Sequence, residues 1–599
     1  MCGIAGIYKI SGDTVSRSQI ENMSAALRHR GPDDKGEYLD KNIGLAHRRL
    51  SIIDLSPAGR QPMENEDGTI FLSCNGEIYN YKELTTLLTA KGHRFHSRTD
   101  IEAIIHAYEE WGEDCLTKFN GEFAFALWDK KKRKLFLARD IFGTKPLYYY
   151  FKNNQFAFAS EIKAFFGLND FRKKVCIGAL GEYFTFQNIF TDRTLFEGVK
   201  LLPPGHKMIV TEKGARQSQH QDIVFSEEKL SLKEYVKKVK QAFQRSIERH
   251  LISDVPVGSY LSGGMDSASI VAVASKHIPR LMTFTGGFDL SSASGIEMVF
   301  DERKDAEAVA NRFHTTHYEM VIHSGDMKHI MPELIWHLED LRVGMCYQNY
   351  YIAQLASKFV KVALSGTGGD EMFAGYPWRY SLINGNGSID KFDKKYYSYW
   401  NRLIQDKDKP HFFNNEIFSK IKAQSTFEIY KSIVKNSNNG AFLNRAFYFE
   451  AKTFLHGLLL VEDKISMANS LEVRLPFLDK ELVELTTRIP LEYKYNNGEG
   501  KFILREAMNK FLSNGITRKK KQGFSPPDAS WYRGESISYV KKIILDKKAL
   551  NRGYFNPDYI KKIINEHVSG KVNHRLLIWS LLCFEWWNRI FMDKEERRY

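Results

Sequence analysis

The chain has 599 residues and a mass of 69.3 kDa, too long for a single core, so two large domains or three smaller ones are expected. Hydrophobic residues make up 43% and charged residues 26%, a balance that excludes disordered and fibrous classes. The 86 Lys and Arg against 72 Asp and Glu leave a net charge of +14, which suits a nucleic-acid binder, a host with a basic proteome or an enzyme of anionic substrates, and does not choose among them.

In chain order, Met1-Cys2-Gly3-Ile4-Ala5-Gly6 lacks a basic flank and a long apolar stretch, so no signal peptide is expected. Up to about residue 210, short alternating strands dominate. Ile70-Phe71-Leu72 runs into Asn75-Gly76, and residues 155–159 alternate with period two. Two amphipathic helices interrupt them, one over 81–91 with Leu84, Leu87 and Leu88 on one face, the other over 101–111 with Ile101, Ile104, Ile105 and Tyr108. The basic run from Lys130 to Lys134 separates two strand-like stretches and is expected as a solvated hairpin tip. This order predicts sheets packed between helices over 1–211, then a polar linker over 212–230.

From 231 to 599 the rhythm changes. A helix over 232–249 precedes apolar segments at 255–257 and 260–261, a glycine turn and a helix over 267–276. A strand over 281–285, a helix over 302–313, a strand over 316–322, two further helices and a strand over 360–364 follow. Strands spaced by helices in this way predict a parallel, doubly wound sheet. Beyond about 380 the pattern is mainly helical. Its apolar stretch at 576–587 is too short for a bilayer, is interrupted by Ser580 and Glu585, and reads as a buried helix. Six scattered cysteines without a CxxC pair argue against a disulfide framework or structural zinc, and for a reducing cytosol.

Cys2 follows Met1, which is usually removed before so small a residue. The terminal residue then holds a thiol of pKa about 8.5 beside an amine of about 7.7–8.0, well matched to take the thiol proton. By itself this is an ordinary cysteine; its neighbours decide. Arg49, in Arg49-Leu50-Ser51-Ile52-Ile53-Asp54, suits a bidentate carboxylate clamp. Asn75 and Gly76 supply donors for an oxyanion hole, while Glu77 and Asp100 supply acceptors for a substrate ammonium. With Arg28-His29-Arg30-Gly31-Pro32-Asp33, Asn75-Gly76-Glu77-Ile78-Tyr79-Asn80 and Arg139-Asp140 with Gly143, residues 1 to about 200 resemble a class II glutamine amidotransferase domain of the N-terminal-nucleophile fold. The resemblance implies Cys2 as nucleophile with its own amine as base, Asn75 and Gly76 at the oxyanion, and Arg49, Glu77 and Asp100 holding L-glutamine.

Ser262-Gly263-Gly264-Met265-Asp266-Ser267 falls between a predicted strand and a predicted helix, where small residues and a helix N-terminus favour an anion. It lacks the Walker spacing and lysine, and resembles the PP-loop of ATP pyrophosphatases. A second turn, Ser365-Gly366-Thr367-Gly368-Gly369-Asp370-Glu371, follows the strand over 360–364, at the end where open α/β sheets bind ligands. The expected ATP contacts are Leu261, Ser262, Gly263, Gly264, Asp266, Ser267, Gly286, Ser365, Gly366 and Lys501, with Arg518 and Lys519 as secondary cations. Asp266 and Asp370 are the expected Mg²⁺ ligands.

With Asp463-Lys464-Ile465-Ser466-Met467, the segment 471–479 and Gly523-Phe524, the two halves resemble the glutamine-hydrolysing asparagine synthetase family over nearly the whole chain. That implies an α+β N-terminal-nucleophile (αββα) glutaminase domain, then an α/β parallel-sheet PP-loop ATP pyrophosphatase domain with a largely helical C-terminal part. It also implies ATP and Mg²⁺ as cofactors, a cytoplasmic ligase without nucleic-acid or membrane partners, and leaves a homodimer open. The implied chemistry is release of ammonia from glutamine by Cys2, adenylation of the aspartate β-carboxylate by ATP, and displacement of AMP by ammonia to give asparagine. Glu339, Thr367 and Glu371 are the expected acceptor-pocket residues. Thr367 stands where the family usually has an acid tied to forming the aspartyl-adenylate, and residues 336–344 also depart from its pattern. L-Aspartate is therefore the first expectation for the acceptor, and another carboxylate, in a sugar acid, peptide or secondary metabolite, is the alternative. A PP-loop enzyme acting on tRNA rests on net charge alone, and a non-catalytic relative is opposed by the intact Cys2, Asp266 and Asp370.

Overall fold

The computed structural model describes residues 1–381, 388–437, 441–519, 521, 523 and 525–593. Phe524, half of the late Gly523-Phe524 motif, lies outside them. The N-terminal part consists of β1 (Gly3–Lys9), β2 (Asp34–Asp40), β3 (Ile43–Arg49), β4 (Met63–Glu64), β5 (Ile70–Ile78), β6 (Gly121–Asp129), β7 (Lys134–Arg139), β8 (Tyr148–Lys152), β9 (Gln155–Ala159), β10 (Val199–Leu201), β11 (His206–Thr211) and β12 (Gly214–Gln219). They pair antiparallel in two six-stranded sheets, ordered β10-β8-β9-β1-β3-β2 and β12-β11-β7-β6-β5-β4. The inner faces share one core, in which Ile4, Leu45 and Phe158 meet Ala126, Leu137 and Val210. The second sheet buries its outer face under helices Tyr81–Ala90 and Glu102–Trp111 through Leu84, Leu88 and Ile105. The first sheet packs against Arg17–Ala26 and Ile177–Phe186 through Ile20, Met23 and Leu180. These are the layers that the strand and helix order predicts.

Two local expectations shift. Leu87 is 46% exposed, because Leu84 and Leu88 form the i, i+4 stripe and position 87 falls at its edge. The polar stretch 212–230 is only partly linker: β12 occupies Gly214–Gln219 and pairs with β11 from Thr211↔Gly214 to His206↔Gln219. It is an edge strand with exposed side chains, so its composition resembles that of a connector.

The C-terminal part holds β13 (Val257–Tyr260), β14 (Met282–Phe288), β15 (Thr316–Ile322), β16 (Val362–Leu364) and β17 (Glu472–Arg474), all parallel, in the order β15-β14-β13-β16-β17. The chain moves outward from β13 to β15 and then returns to the other side of β13 with β16. The crevice where that order reverses is the standard ligand position in such sheets. The turns after β13 and β16 are the two glycine segments. Helix Met265–Ala274 is buried at every position but Asp266, so its apolar residues follow no single stripe. Helix Arg575–Trp587 is likewise buried, as its sequence predicts. The two parts are not separate bodies, since Met1, Leu50, Ile52 and Phe142 share a core with Val257, Leu261 and Val473.

Candidate active sites

Cys2 enters β1 almost fully buried, with its backbone N–H donating to Asn75 Oδ1 at 2.9 Å and its carbonyl accepting from Arg30 Nε at 3.0 Å. Burial raises the thiol pKa, so a base must take its proton before it attacks. Asn75 Nδ2 is buried without a hydrogen-bond partner among the described residues. An unpaired donor next to a nucleophile is costly unless an oxyanion is to occupy it. Gly76 is obligatory for a different reason: a Cβ there would lie 2.3 Å from the Glu122 carbonyl of β6.

Arg49, the last residue of β3, donates from Nη1 to Ser56 O at 2.9 Å and from Nη2 to Asp54 O at 2.5 Å and Ile53 O at 3.3 Å. The loop carbonyls fix the guanidinium and leave its charge without a carboxylate partner among the described residues. Burial, then Asp100, raises Glu77 well above the usual carboxylate range, even with Arg474 Nη2 at 3.3 Å. Asp100 accepts from the Ile78 N–H at 2.7 Å, and burial pushes it up to about 6. Two buried acids that resist ionisation define a place for a cation. The ammonium of Met1 already lies there, 2.5 Å from Glu472 Oε2 and within the electrostatic reach of Glu77. Glu472 and Arg474, which complete this corner from β17, carry no signal in the sequence beyond charged residues in a buried strand.

At the switch point, the Ser267 hydroxyl accepts from the Ser262 N–H and lies beside the Ser262 hydroxyl, each at 3.0 Å, which closes the loop ahead of helix Met265–Ala274. The second turn packs directly on it: a Cβ on Gly366 or Gly369 would come within 3.0 Å or less of the Asp266 side chain. Lys501 Nζ lies 2.5 Å from both Asp266 and Asp370, and Lys521 Nζ 2.6 Å from Asp370. Against the penalty of burial, these lysines hold Asp370 down at about 2, while burial and Asp370 raise Asp266. The cleft in front measures about 410 Å³, and Ser262, Gly264, Asp266, Lys501, Arg505, Arg518, Lys519 and Lys521 line it. Of the expected ATP residues, Ser262, Gly264, Asp266 and Lys501 face this cleft. Leu261, Gly263, Ser267, Gly286, Ser365 and Gly366 are not among the residues that line it. Lys519 ties the loop carbonyl of Gly263 to Glu302 and Asp305, and Lys521 is the cation that sequence reasoning missed within the run from Arg518.

Two converging carboxylates, with Asp266 Oδ1 buried and unpartnered among the described residues, fit a hard divalent cation such as Mg²⁺. Lys501 meets that charge demand here. On the acceptor side, Thr367 Oγ1 lies 3.1 Å from Ser365 Oγ. Glu371 accepts from Tyr376 at 2.7 Å, and burial with Asp370 nearby pushes it up to about 7. Glu339 does not line an open pocket. It is completely buried, its oxygens accept from the Ile162 and Lys163 N–H groups at 2.6 and 2.8 Å, and Lys464 pairs with it at 2.6 Å. It clasps the two parts of the chain together. Its place in an atypical segment gave no hint of that long-range role.

A cysteine beside an unpaired amide donor, and a basic cleft with an acidic floor at a parallel-sheet switch point, are the two halves of a glutamine-dependent ligase. Residues 1–221 match the family model of the glutamine amidotransferase domain and residues 238–589 that of asparagine synthase. The chain is 32% identical to asparagine synthetase [glutamine-hydrolyzing] 1 of Bacillus subtilis (strain 168), over 99% of this chain and 97% of that one. It is 31% identical to asparagine synthetase [glutamine-hydrolyzing] 3 of the same organism, over 92% and 93%. It is 28% identical to Amidase chry2 of Gibberella zeae, also over 92% and 93%. The chain belongs to the glutamine-hydrolysing asparagine synthetase family and is an ATP-dependent, glutamine-hydrolysing ligase. No helix among the described residues is long and apolar enough to cross a membrane.

Proposed function

We propose that the chain makes asparagine from L-aspartate, with glutamine as the nitrogen source. In this reading residues 1–211, with β12 as an added edge, form the glutaminase and residues 231–599 the synthetase. Once Met1 is removed, the Cys2 amine stays beside Asn75 Oδ1 and takes the thiol proton. The thiolate attacks the glutamine amide, Asn75 Nδ2 meets the oxyanion, and Arg49 with Glu77 and Asp100 holds the amino-acid end. In the second site, lysines 501 and 521 draw in the ATP phosphates, and Asp266 with Asp370 would hold Mg²⁺, which screens the phosphate charge when bound. The acceptor carboxylate becomes an acyl-adenylate with loss of pyrophosphate, and ammonia from the first site displaces AMP.

The observation that supports the coupled reading is that two hydrogen-bonded neighbouring strands each reach one of the sites. β17 brings Arg474 to Glu77 and Glu472 to the chain's N-terminal ammonium, and its neighbour β16 leads straight into the second glycine turn. Six free cysteines suit a reducing cytoplasm. Neither site needs a second copy of the chain, so a homodimer is not required by the chemistry.

Thr367 favours a second reading, in which the same machinery amidates a different carboxylate. The two are separated by pyrophosphate release from Mg-ATP and ammonium, with and without L-aspartate, and by mass spectrometry of the amide. Aspartate-dependent release with asparagine formed is the expected result. An intact glutaminase without aspartate dependence assigns a different acceptor. In the same assay Cys2→Ala should abolish amidation from glutamine and leave amidation from ammonium intact; loss of both overturns the two-site scheme.

A further inference from the structure

The outer face of the glutaminase part carries a group of imidazoles and carboxylates that neither reaction uses. Glu66 sits in the turn between β4 and β5, His93 in the loop after helix Tyr81–Ala90, and His106 in the middle of helix Glu102–Trp111. Each offers a ligand atom, and these atoms lie within 4.8 Å of one another. Glu109, the next turn of the same helix, joins them. Its Oε2 is 2.9 Å from His106 Nδ1 and 3.4 Å from His93 Nδ1, and Glu66 Oε2 is 3.9 Å from His106 Nδ1. An ion with four ligands at about 2.0–2.1 Å in a tetrahedron sets them roughly 3.3–3.4 Å apart, and these contacts fall on both sides of that spacing.

The groups behind these atoms are placed as the outer partners of a metal are. His93 turns Nδ1 inward and Nε2 to Glu110 at 3.5 Å, and His106 turns Nε2 to Glu102, also at 3.5 Å. The carboxylates are oriented in the same manner. Glu109 Oε1 accepts from Asn65 Nδ2 at 2.7 Å and Glu66 Oε1 from the Arg94 N–H at 3.2 Å, which leaves each Oε2 for the rings. His106 is 1% exposed, and its Nε2 has no hydrogen bond among the described residues. Of Glu66, Glu102, Glu109 and Glu110, only Glu110 pairs with a lysine or arginine among the described residues, with Lys91 at 2.6 Å. Acids gathered around two imidazoles without basic partners call for a cation. In the metal-free chain they draw a proton onto His106 instead.

We infer that Glu66, His93, His106 and Glu109 form a Zn²⁺ site that pins the outer layer of the glutaminase part. Two imidazoles and two carboxylates are donors that Zn²⁺ takes in tetrahedral form, and cysteine spacing gives no sign of such a site. The ion has a structural role. It joins the β4–β5 turn, the loop at His93 and the helix, whose Glu102 accepts from the His96 and Ser97 N–H groups at 2.6 and 2.7 Å. That segment runs on to Asp100, so the ion braces the backbone carrying one of the proposed glutamine contacts.

The test is calorimetric titration of the chelator-treated full chain with Zn²⁺, with thermal unfolding followed alongside. The unmodified chain should take up one Zn²⁺ more than His93→Ala, and Zn²⁺ should raise its thermal midpoint further. Ions held at Cys2 or between Asp266 and Asp370 are common to both chains and cancel. Glu110→Gln keeps every ligand and should weaken uptake at this site by about 10- to 100-fold, which a role in packing alone would not produce. If His93→Ala does not fold, Glu66→Gln, at the exposed edge of the site, replaces it in the comparison. Equal Zn²⁺ uptake and affinity in the unmodified chain and the ligand variant overturn the inference.

Discussion

Asn75 does two things with one amide. Its oxygen accepts from the Cys2 N–H, and its Nδ2 is buried without a partner among the described residues, the donor that the proposed mechanism assigns to the oxyanion. Asn75→Ala should therefore reduce glutaminase kcat by about 10²–10³, the usual effect of removing one oxyanion donor, with ammonium-dependent synthesis unchanged. A loss confined to the KM for glutamine would mean the side chain only shapes the pocket. That Cys2 lies beside Asn75, and Asp266 beside Asp370 and Lys501, fits the sequence reading, because each sits in a short segment whose chemistry is local. The places of Glu472, Arg474 and Lys521 could not be read there, because their partners lie in distant parts of the chain and charge alone does not say which way a side chain turns. Glu339 failed for the same reason in reverse: an atypical segment suggested a pocket, and the carboxylate is committed to a seam.

At the scale of elements, helix Glu102–Trp111 shows how a surface layer is fixed by charge as well as by Ile104 and Ile105. His106 is buried on it, with Nδ1 2.9 Å from Glu109 and Nε2 3.5 Å from Glu102. Burial opposes the imidazolium, but the neighbouring carboxylates of Glu102, Glu109 and Glu66 outweigh it and raise the pKa to about 9. The folded value exceeds the unfolded one of about 6.5. The stabilisation is thus complete below about pH 6.5 and fades as pH rises through about 9. His106→Gln should lower the thermal midpoint more at about pH 6 than at about pH 9.5; equal losses would show that the ring acts by packing alone. The helix was legible from its apolar spacing, as were the parallel strands from their regular alternation with helices. The edge strand β12 was not, since its exposed polar face has the composition of a linker.

Across the whole molecule, the seam between the two parts is ionic at its centre. Arg30 pairs across it with Asp463 at 2.9 Å and Arg474 with Glu77 at 3.3 Å, while Glu339, itself paired with Lys464, accepts from the Ile162 and Lys163 N–H groups at 2.6 and 2.8 Å. Removing one partner from a buried pair strands the other, at a cost of about 3–5 kcal/mol. Glu339→Gln should lower the urea midpoint accordingly and impair glutamine-dependent synthesis more than the ammonium-dependent reaction; equal impairment would mean the clasp does not govern transfer between sites. The seam also sets a timetable. Cys2 gains a free amine only after Met1 is cut away, yet in the folded chain Met1 is 2% exposed and pinned to Glu472, 471 residues later. At about 5–20 residues per second, a ribosome needs roughly 24–94 s to reach that glutamate. An aminopeptidase that works in this interval meets an open end, and one that arrives later meets a buried one.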